Sequence, residues 1–408
     1  MRGTLNWSML VVGIVVGTIA DGAAVGAQEI TLLAGGDVEW SRMVRAPNTY
    51  TLEHDREHDI PVRGTPGQRT WIDVPLLNVE ANRQEIATLL GEDLDSPNAH
   101  HLAAIPYSIQ AESDEALQRY PLQRVRELVQ GADVAFANLE MPISDRARPT
   151  GAFVGSPAFA DALAWAGFDL VSSANNHAFD GESVGLLDTM DHLAAAGVGQ
   201  IGVGRDLELA RSPLIVERDG IRLAFLGYAR AINWIGTAGF AQPDQPGVLP
   251  LDPLLIKEDI ARVRDDVDYV VLSFHWAIEN AEDTHPDART FAYEMVDAGA
   301  DIILGHHPHV PRGVEVYNDS VIFYSLGNLI FGHNHDYWGD NYLARLTLEP
   351  DRISRVEIIP IAGEGQDMAQ PYPLDGARAR ALLERVQTLT RDLDTELEIQ
   401  GDLGVIAP

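Results

Sequence analysis

Ile302-Ile303-Leu304-Gly305-His306-His307-Pro308-His309-Val310 joins an apolar run to three imidazoles within four residues. The apolar residues read as a buried strand, and Gly305 ends it. Imidazole is the commonest protein metal ligand, so a strand that stops in such a cluster marks a candidate metal site at a sheet edge. Taken alone, the cluster is equally well read as a His-rich turn without a ligand. The rest of the chain decides between the two.

Apolar runs of strand length recur at 30–34, 134–137, 170–173, 221–227, 269–274, 302–304 and 321–324. Most are continuously apolar rather than alternating, as expected when both faces of a sheet are covered. Between several of them lie segments of helical period. One opens at Ser156-Pro157, runs to Ala166 and stops at Gly167, with Pro157 in the first turn. Another begins at Ser183, carries Leu186, Leu187, Met190 and Leu193 on one face, and ends at Gly197. Segments 252–263 and 288–298 continue the alternation. The pattern predicts a layered α/β protein with a mostly parallel interior.

The length, 408 residues, suits one large domain or two ordinary ones, and 46% hydrophobic residues suit a globular chain. Residues 1–27 differ. Arg2 precedes an apolar stretch at 9–20, and Val25-Gly26-Ala27 supplies small residues where a signal peptidase cuts. They read as a cleaved secretory signal, with an uncleaved anchor as the alternative. Segment 41–110 is polar and proline-containing and reads as an inserted loop. Its His54, His58, His100 and His101 sit among charges and read as a solvated face before a metal site. The domain proper is expected at 28–365, and 366–408 as a C-terminal helical segment. There, Leu382, Val386, Leu389, Leu393 and Leu397 keep helical spacing over 375–397.

The chain has no cysteine, so a metal must be held by His, Asp, Glu or Asn. Its formal charge is -32, with Lys257 its single lysine. Such a field repels nucleic acid and anionic lipid, and the lone lysine lacks the glycines of a phosphate-binding loop. Nucleic-acid partners are therefore not expected.

Polar residues follow the strands directly. Gly36-Asp37 follows the first, Asn138-Leu139-Glu140 the second and Asn175-Asn176-His177 the third, while His275-Trp276 and His307-Pro308-His309 end two later ones. Ligand crevices of open α/β sheets lie outside the carboxyl ends of their strands, so these five ends should converge. Asp37, Glu140, Asn176, His275, His307 and His309 make six candidate metal ligands, more than the three protein ligands of an ordinary open catalytic zinc. Two cations sharing a carboxylate bridge account for that number. His177 is left over and is suited to protonating a leaving group.

Gly36-Asp37 with Arg42, Asn138-Leu139-Glu140, Asn175-Asn176-His177 followed by Asp180-Gly181, His275-Trp276 with Glu279, Gly305 to Val310, and Ser325-Leu326-Gly327-Asn328 occur in an order that resembles the CapA family of capsule and poly-gamma-glutamate biosynthesis proteins. The resemblance spans about 30–361. It implies a four-layer αββα sandwich of metallophosphoesterase type with its site at one edge of the two sheets. It also implies Asp37 at the first metal position, Glu140 as the bridge, Asn176 and His275 at the second metal, and His307 and His309 on one metal each. His177 would be the acid, with Asp37 at the catalytic centre, and Arg42 the cation for an anionic substrate. His306 becomes a supporting or buried residue. Two departures stand out. Glu39 occupies a position where phosphoesterases place a His, which would weaken or alter the first metal position, and Ala277 replaces the family's glycine after His275-Trp276. His333, His335 and Asp336 form a further polar cluster, read as a rim or a solvated loop.

The expected function is a secreted, periplasmic or cell-surface protein that assists synthesis or export of an anionic polymer of poly-gamma-glutamate type. Two divalent ions, Mn, Zn or Fe, would serve it, beside membrane-bound synthase or exporter subunits. A secreted metal-dependent phosphoesterase acting on a phosphate ester and a non-catalytic scaffold are the alternatives, because a fold does not fix a substrate.

Overall fold

The computed structural model describes residues 29–41, 113–147, 153–233, 235–332 and 338–408. Residues 1–27, expected as a leader, Arg42, and the His54, His58, His100, His101, His333, His335 and Asp336 clusters lie outside them.

Each expected apolar run is a strand. In chain order the first four are β1 (Ile30–Glu39), β2 (Val134–Leu139), β3 (Leu170–Ser172) and β4 (Gly199–Ile201), which lie side by side and parallel. There follow β5 (Val203–Gly204), β6 (Leu214–Arg218), β7 (Ile221–Ala229), β8 (Gly247–Val248), β9 (Tyr269–His275), β10 (Ile302–His306), β11 (Val314–Tyr317) and β12 (Ser320–Phe323). Six of these make a second sheet in the order β11-β12-β10-β9-β7-β6, while β5 pairs with β8. The chain then returns to the first sheet through β13 (Asn328–Phe331), β14 (Asn341–Glu349), β15 (Arg352–Ile361), β16 (Glu398–Gln400) and β17 (Leu403–Ile406). That nine-stranded sheet runs β16-β17-β15-β14-β1-β2-β3-β4, with β13 beside β1.

Side chains alternate between two buried environments along the central strands, which is why the runs are apolar throughout. Leu32, Val134, Phe136 and Leu170 face Leu223, Phe225, Val271 and Leu304 between the sheets. On the other face of the first sheet, Leu33, Ala135 and Val171 pack on Phe159 and Leu163 of a helix at Ala158–Ala166 and Leu193 of one at Glu182–Ala196. On the far face of the second sheet, Val270, Leu272 and Ile303 meet Ile256 and Ile260 of the helix Pro253–Val263 and Met295 of Pro286–Asp297. The result is four layers, helix, sheet, sheet, helix, as the resemblance implied.

Two expectations are corrected. The interior is mixed rather than mostly parallel, because β14, β15, β16 and β17 pair antiparallel, as do the edge strands β6 and β11. The terminal helix stops at Arg391 instead of continuing to Leu397. There, tertiary hydrogen bonds override periodicity: the hydroxyls of Thr390 and Thr395 accept from the edge amides of Val314 and Val316 on β11. Leu393 and Leu397 are still buried, and β16 and β17 then extend the first sheet from β15. Among the described residues no helix is long and apolar enough to cross a membrane.

The site edge depends on close backbone approach. A β-carbon on Gly36 would lie 2.0 Å from the carbonyl oxygen of Gly327, the atom to which the Asp37 amide donates at 2.9 Å. One on Gly305 would lie 2.4 Å from the Tyr324 oxygen. Both glycines let a strand end press against its neighbour, which places the next side chains in the crevice.

Candidate metal centre

Asp37 ends the useful length of β1, Glu140 follows β2, Asn176 and His177 follow β3, His275 is the last residue of β9, and His307 and His309 follow β10. The first three strands belong to one sheet and the other two to its partner. The site therefore exists only where the two sheets meet edge to edge.

Two groups of ligand atoms gather there, Asp37 with Glu140 and His275, and Glu140 with His307 and His309, each set within 4.8 Å. Glu140 belongs to both. His275 Nε2 is 3.5 Å and His309 Nε2 3.9 Å from Glu140 Oε1, and His309 Nδ1 is 3.4 Å from Asp37 Oδ2. By proximity His307 and His309 share one group, and Asp37 falls with His275.

The carboxylates of the pair are treated oppositely by the fold. Asp37 is held by Asn138 Nδ2, which donates to Oδ1 at 2.8 Å, and by the His307 amide, which donates to Oδ2 at 3.1 Å. Burial pushes its carboxyl up, but the imidazoles of His306 and His309 more than reverse this and hold it well below the ordinary range. Glu140 is fully buried, and neither carboxylate oxygen has a protein donor. Burial first, then the negative charges of Asp37, Glu279, Glu39 and Asp180, raise its carboxyl well above the ordinary value. A carboxylate without a donor costs several kcal/mol in such a place unless a cation compensates it. His275 Nε2, His307 Nδ1 and Asn176 Oδ1 are likewise buried without a hydrogen-bond partner. Burial, followed by the neighbouring imidazoles, depresses His275, and lowers His307 to about 3, so both rings are neutral and present lone pairs. This donor set, oxygen and nitrogen without thiolate, fits a divalent metal.

Around this set stand supporting groups. His309 Nδ1 lies 2.9 Å from Asn328 Oδ1, which fixes the ring and leaves Nε2 toward Glu140. His307 and His309 adopt left-handed backbone (φ 94° and 59°), a strained geometry of the kind that sites impose. His306 is buried on β10, with Nδ1 3.3 Å from Asp37 Oδ1 and its ring 5.8 Å from that of Phe136. Glu39 is also buried, and its two oxygens accept from the Ser41 and Gly332 amides at 2.6 and 2.9 Å. The carboxylate at the unexpected position thus serves as a backbone fastener beside the crevice.

His177 is anchored differently. Its Nδ1 lies 2.7 Å from Asp180 Oδ2, which also accepts from the Phe153 amide, and its Nε2 is 3.3 Å from Asn233 Nδ2. Asp180 holds the imidazole by one nitrogen, and the Asn233 side-chain amide meets the other. A wall of rings, Phe153, Phe331 and Trp338, runs from His177 to His309, at 4.3 Å, 5.0 Å and 4.9 Å to the imidazole in contact. Two residues at this site went unnoticed in the sequence, Arg230 and Asn233. Neither sits in a motif, and their only signal is a position just beyond the end of β7.

The loop after β9 carries a second strained point. Ala277, with φ 72°, takes the conformation that suits the family's glycine. Ala277→Gly is expected to raise stability by about 1 kcal/mol, read as a higher urea midpoint at unchanged slope. An unchanged or lower midpoint would show that the alanine is not strained.

The chain is similar to several known proteins. The family model described as bacterial capsule synthesis protein PGA_cap matches residues 89–333. The PGA biosynthesis protein CapA of Bacillus subtilis is 38% identical over 196 residues, covering 48% of this chain and 50% of that protein. The capsule biosynthesis protein CapA of Bacillus anthracis is 32% identical over 200 residues, covering 48% of each. The chain spans about half the length of the curated relatives it matches. Among solved structures, the sulfate thiohydrolase SoxB of Thermus thermophilus is similar over 89% of this chain and 61% of its own, at 16% identity and a TM-score of 0.40.

Proposed function

Because the chain belongs to the bacterial capsule synthesis protein family PGA_cap, we propose that it assists synthesis or export of an extracellular anionic polymer of poly-gamma-glutamate type, using two divalent ions. The observation that carries this reading is Glu140, a buried carboxylate without a protein donor that belongs to two ligand groups at once. The leader at 1–27 supports a secreted or cell-surface position, where synthase or exporter subunits would be its neighbours.

Asp37 and His275 on the one hand, and His307 and His309 on the other, would hold the ions together with Glu140. Divalent ions there supply Lewis acidity and activation of water. The chain's own part is orientation. Asn138 and the His307 amide fix both oxygens of Asp37, so that ligand needs no rearrangement. Asp180 holds His177 by Nδ1, and Asn233 stands at Nε2, the atom that would exchange a proton with a leaving group once substrate displaces that contact. Phe153, Phe331 and Trp338 keep water from that flank.

The test is metal content of the purified protein together with polymer output of the producing cell when His307→Ala replaces the wild type. Bound divalent ion and lost output are expected; a metal-free protein with unchanged output would sink the proposal. The His177–Asp180 pair gives specific support to the second reading, a secreted phosphoesterase unrelated to capsule. Turnover of phosphate esters with added Mn or Zn, abolished by Asp37→Asn while polymer output stays normal, would favour it.

A further inference from the structure

Of the 408 residues 61 are acidic and 29 are lysine or arginine, and among the described residues most arginines bond carboxylates, although Arg124, Arg126 and Arg312 stack on a ring or bond carbonyls instead. Arg211, Arg264, Arg289, Arg345 and Arg378 all bond carboxylates. Arg230 does not: among the described residues its guanidinium makes one hydrogen bond, from Nη1 to the Ala277 carbonyl at 3.0 Å, and is otherwise exposed. Its positive charge acts on His307, the candidate ligand that follows β10.

The base of Arg230 is fixed. It follows Ala229, whose Cα partner across the ladder is His275, and its amide donates to the His275 carbonyl at 3.0 Å. Three residues on, the Asn233 amide donates to the Asn176 carbonyl at 2.8 Å, and Asn233 Nδ2 reaches His177. The short segment 230–233 is therefore fastened at one end to the loop after β9 and at the other to the loop after β3. It crosses from one sheet to the other at the mouth of the crevice, with an unpaired guanidinium on its upper end.

We infer that Arg230 receives an anionic group of the substrate, a carboxylate or a phosphate, beside the His177–His307 side of the centre. The inference rests on the metal-dependent reading of the site and names its substrate as a molecule with negative charge at that point. The chain as a whole is strongly acidic, so a fixed cation beside the centre adds to the pull of the two ions on such a molecule and sets where its anionic group lies. Guanidinium suits the task because its remaining donors form a planar fork that fits either anion in two places.

The test is equilibrium binding by calorimetry to the full-length, Mn-loaded protein, with two probes, inorganic phosphate and a gamma-linked glutamate oligomer. Arg230→Gln is expected to weaken at least one probe by about tenfold or more, with metal stoichiometry and melting temperature unchanged. Arg230→Lys, which keeps the charge and a donor for Ala277, should recover part of the loss. Equal affinities in wild type and Arg230→Gln overturn the inference, and so does a wild type that binds neither probe. Phosphate binding that depends on Arg230, with no oligomer binding by any form, supports the role of Arg230 and counts against the polymer reading.

Discussion

Metal-free protein is expected to melt about 5–10 °C higher when Mn or Zn is added at a hundred times its dissociation constant, and Glu140→Gln is expected to abolish that rise. Binding at two sites stabilises by about 5.4 kcal/mol at that excess, and each kcal/mol moves the midpoint by roughly 1–2 °C for a domain of this size. The same substitution should make the metal-free protein more stable by about 1–3 kcal/mol at neutral pH, because it removes a buried charge that lacks a donor. The pH dependence follows from the raised carboxyl. A carboxyl whose folded value lies above its unfolded one stabilises fully below the unfolded value, and that contribution disappears as pH rises through the folded value. From about pH 4.5 upward, wild-type metal-free protein should therefore lose stability relative to Glu140→Gln, and added metal should restore it. Calorimetric scans of both forms across this range, with and without metal, decide the matter. Equal melting of the two metal-free forms would mean that Glu140 is already compensated, and the bridging role would fall.

On the phosphoesterase reading, His177→Ala is expected to lower turnover of an alkyl phosphate ester by about 10²–10⁴-fold, with bound metal unchanged. The loss should be much smaller for an aryl ester with an acidic phenol as leaving group, since such a group departs without a proton. Asp180→Asn should fall between wild type and His177→Ala, because it releases the imidazole from its 2.7 Å anchor and leaves the ring in place. A uniform loss over both esters would assign His177 to substrate or metal binding instead of proton transfer.

The strands were legible because each is buried on both faces, and unbroken apolar runs such as 134–137 have few other uses. The helix ends at Gly167 and Gly197 were equally plain, for both residues take left-handed backbone that other residues resist. The antiparallel half of the first sheet was not. β14 and β15 mix partly buried charged residues with apolar ones, and their partners are set by chain return rather than by local pattern. The end of the last helix was hidden for a related reason, since Thr390 and Thr395 are held by amides some 80 residues away.

At the site, residue chemistry and order along the chain were enough to name Asp37, Glu140, Asn176, His275, His307 and His309 as candidates, and the fold gathers Asp37, Glu140, His275, His307 and His309 at one edge. Grouping them was beyond it. Which imidazole shares a neighbourhood with which carboxylate depends on how two sheets meet, and no spacing encodes that. The same holds for Glu39, whose buried oxygens go to the amides of Ser41 and Gly332, and for Arg230, a plain surface arginine until the fold lays its base across two ligand loops. A side chain's identity limits the chemistry it can perform. Its charge state, partners and open donors come from burial and from neighbours distant in the chain, and these arise only on packing.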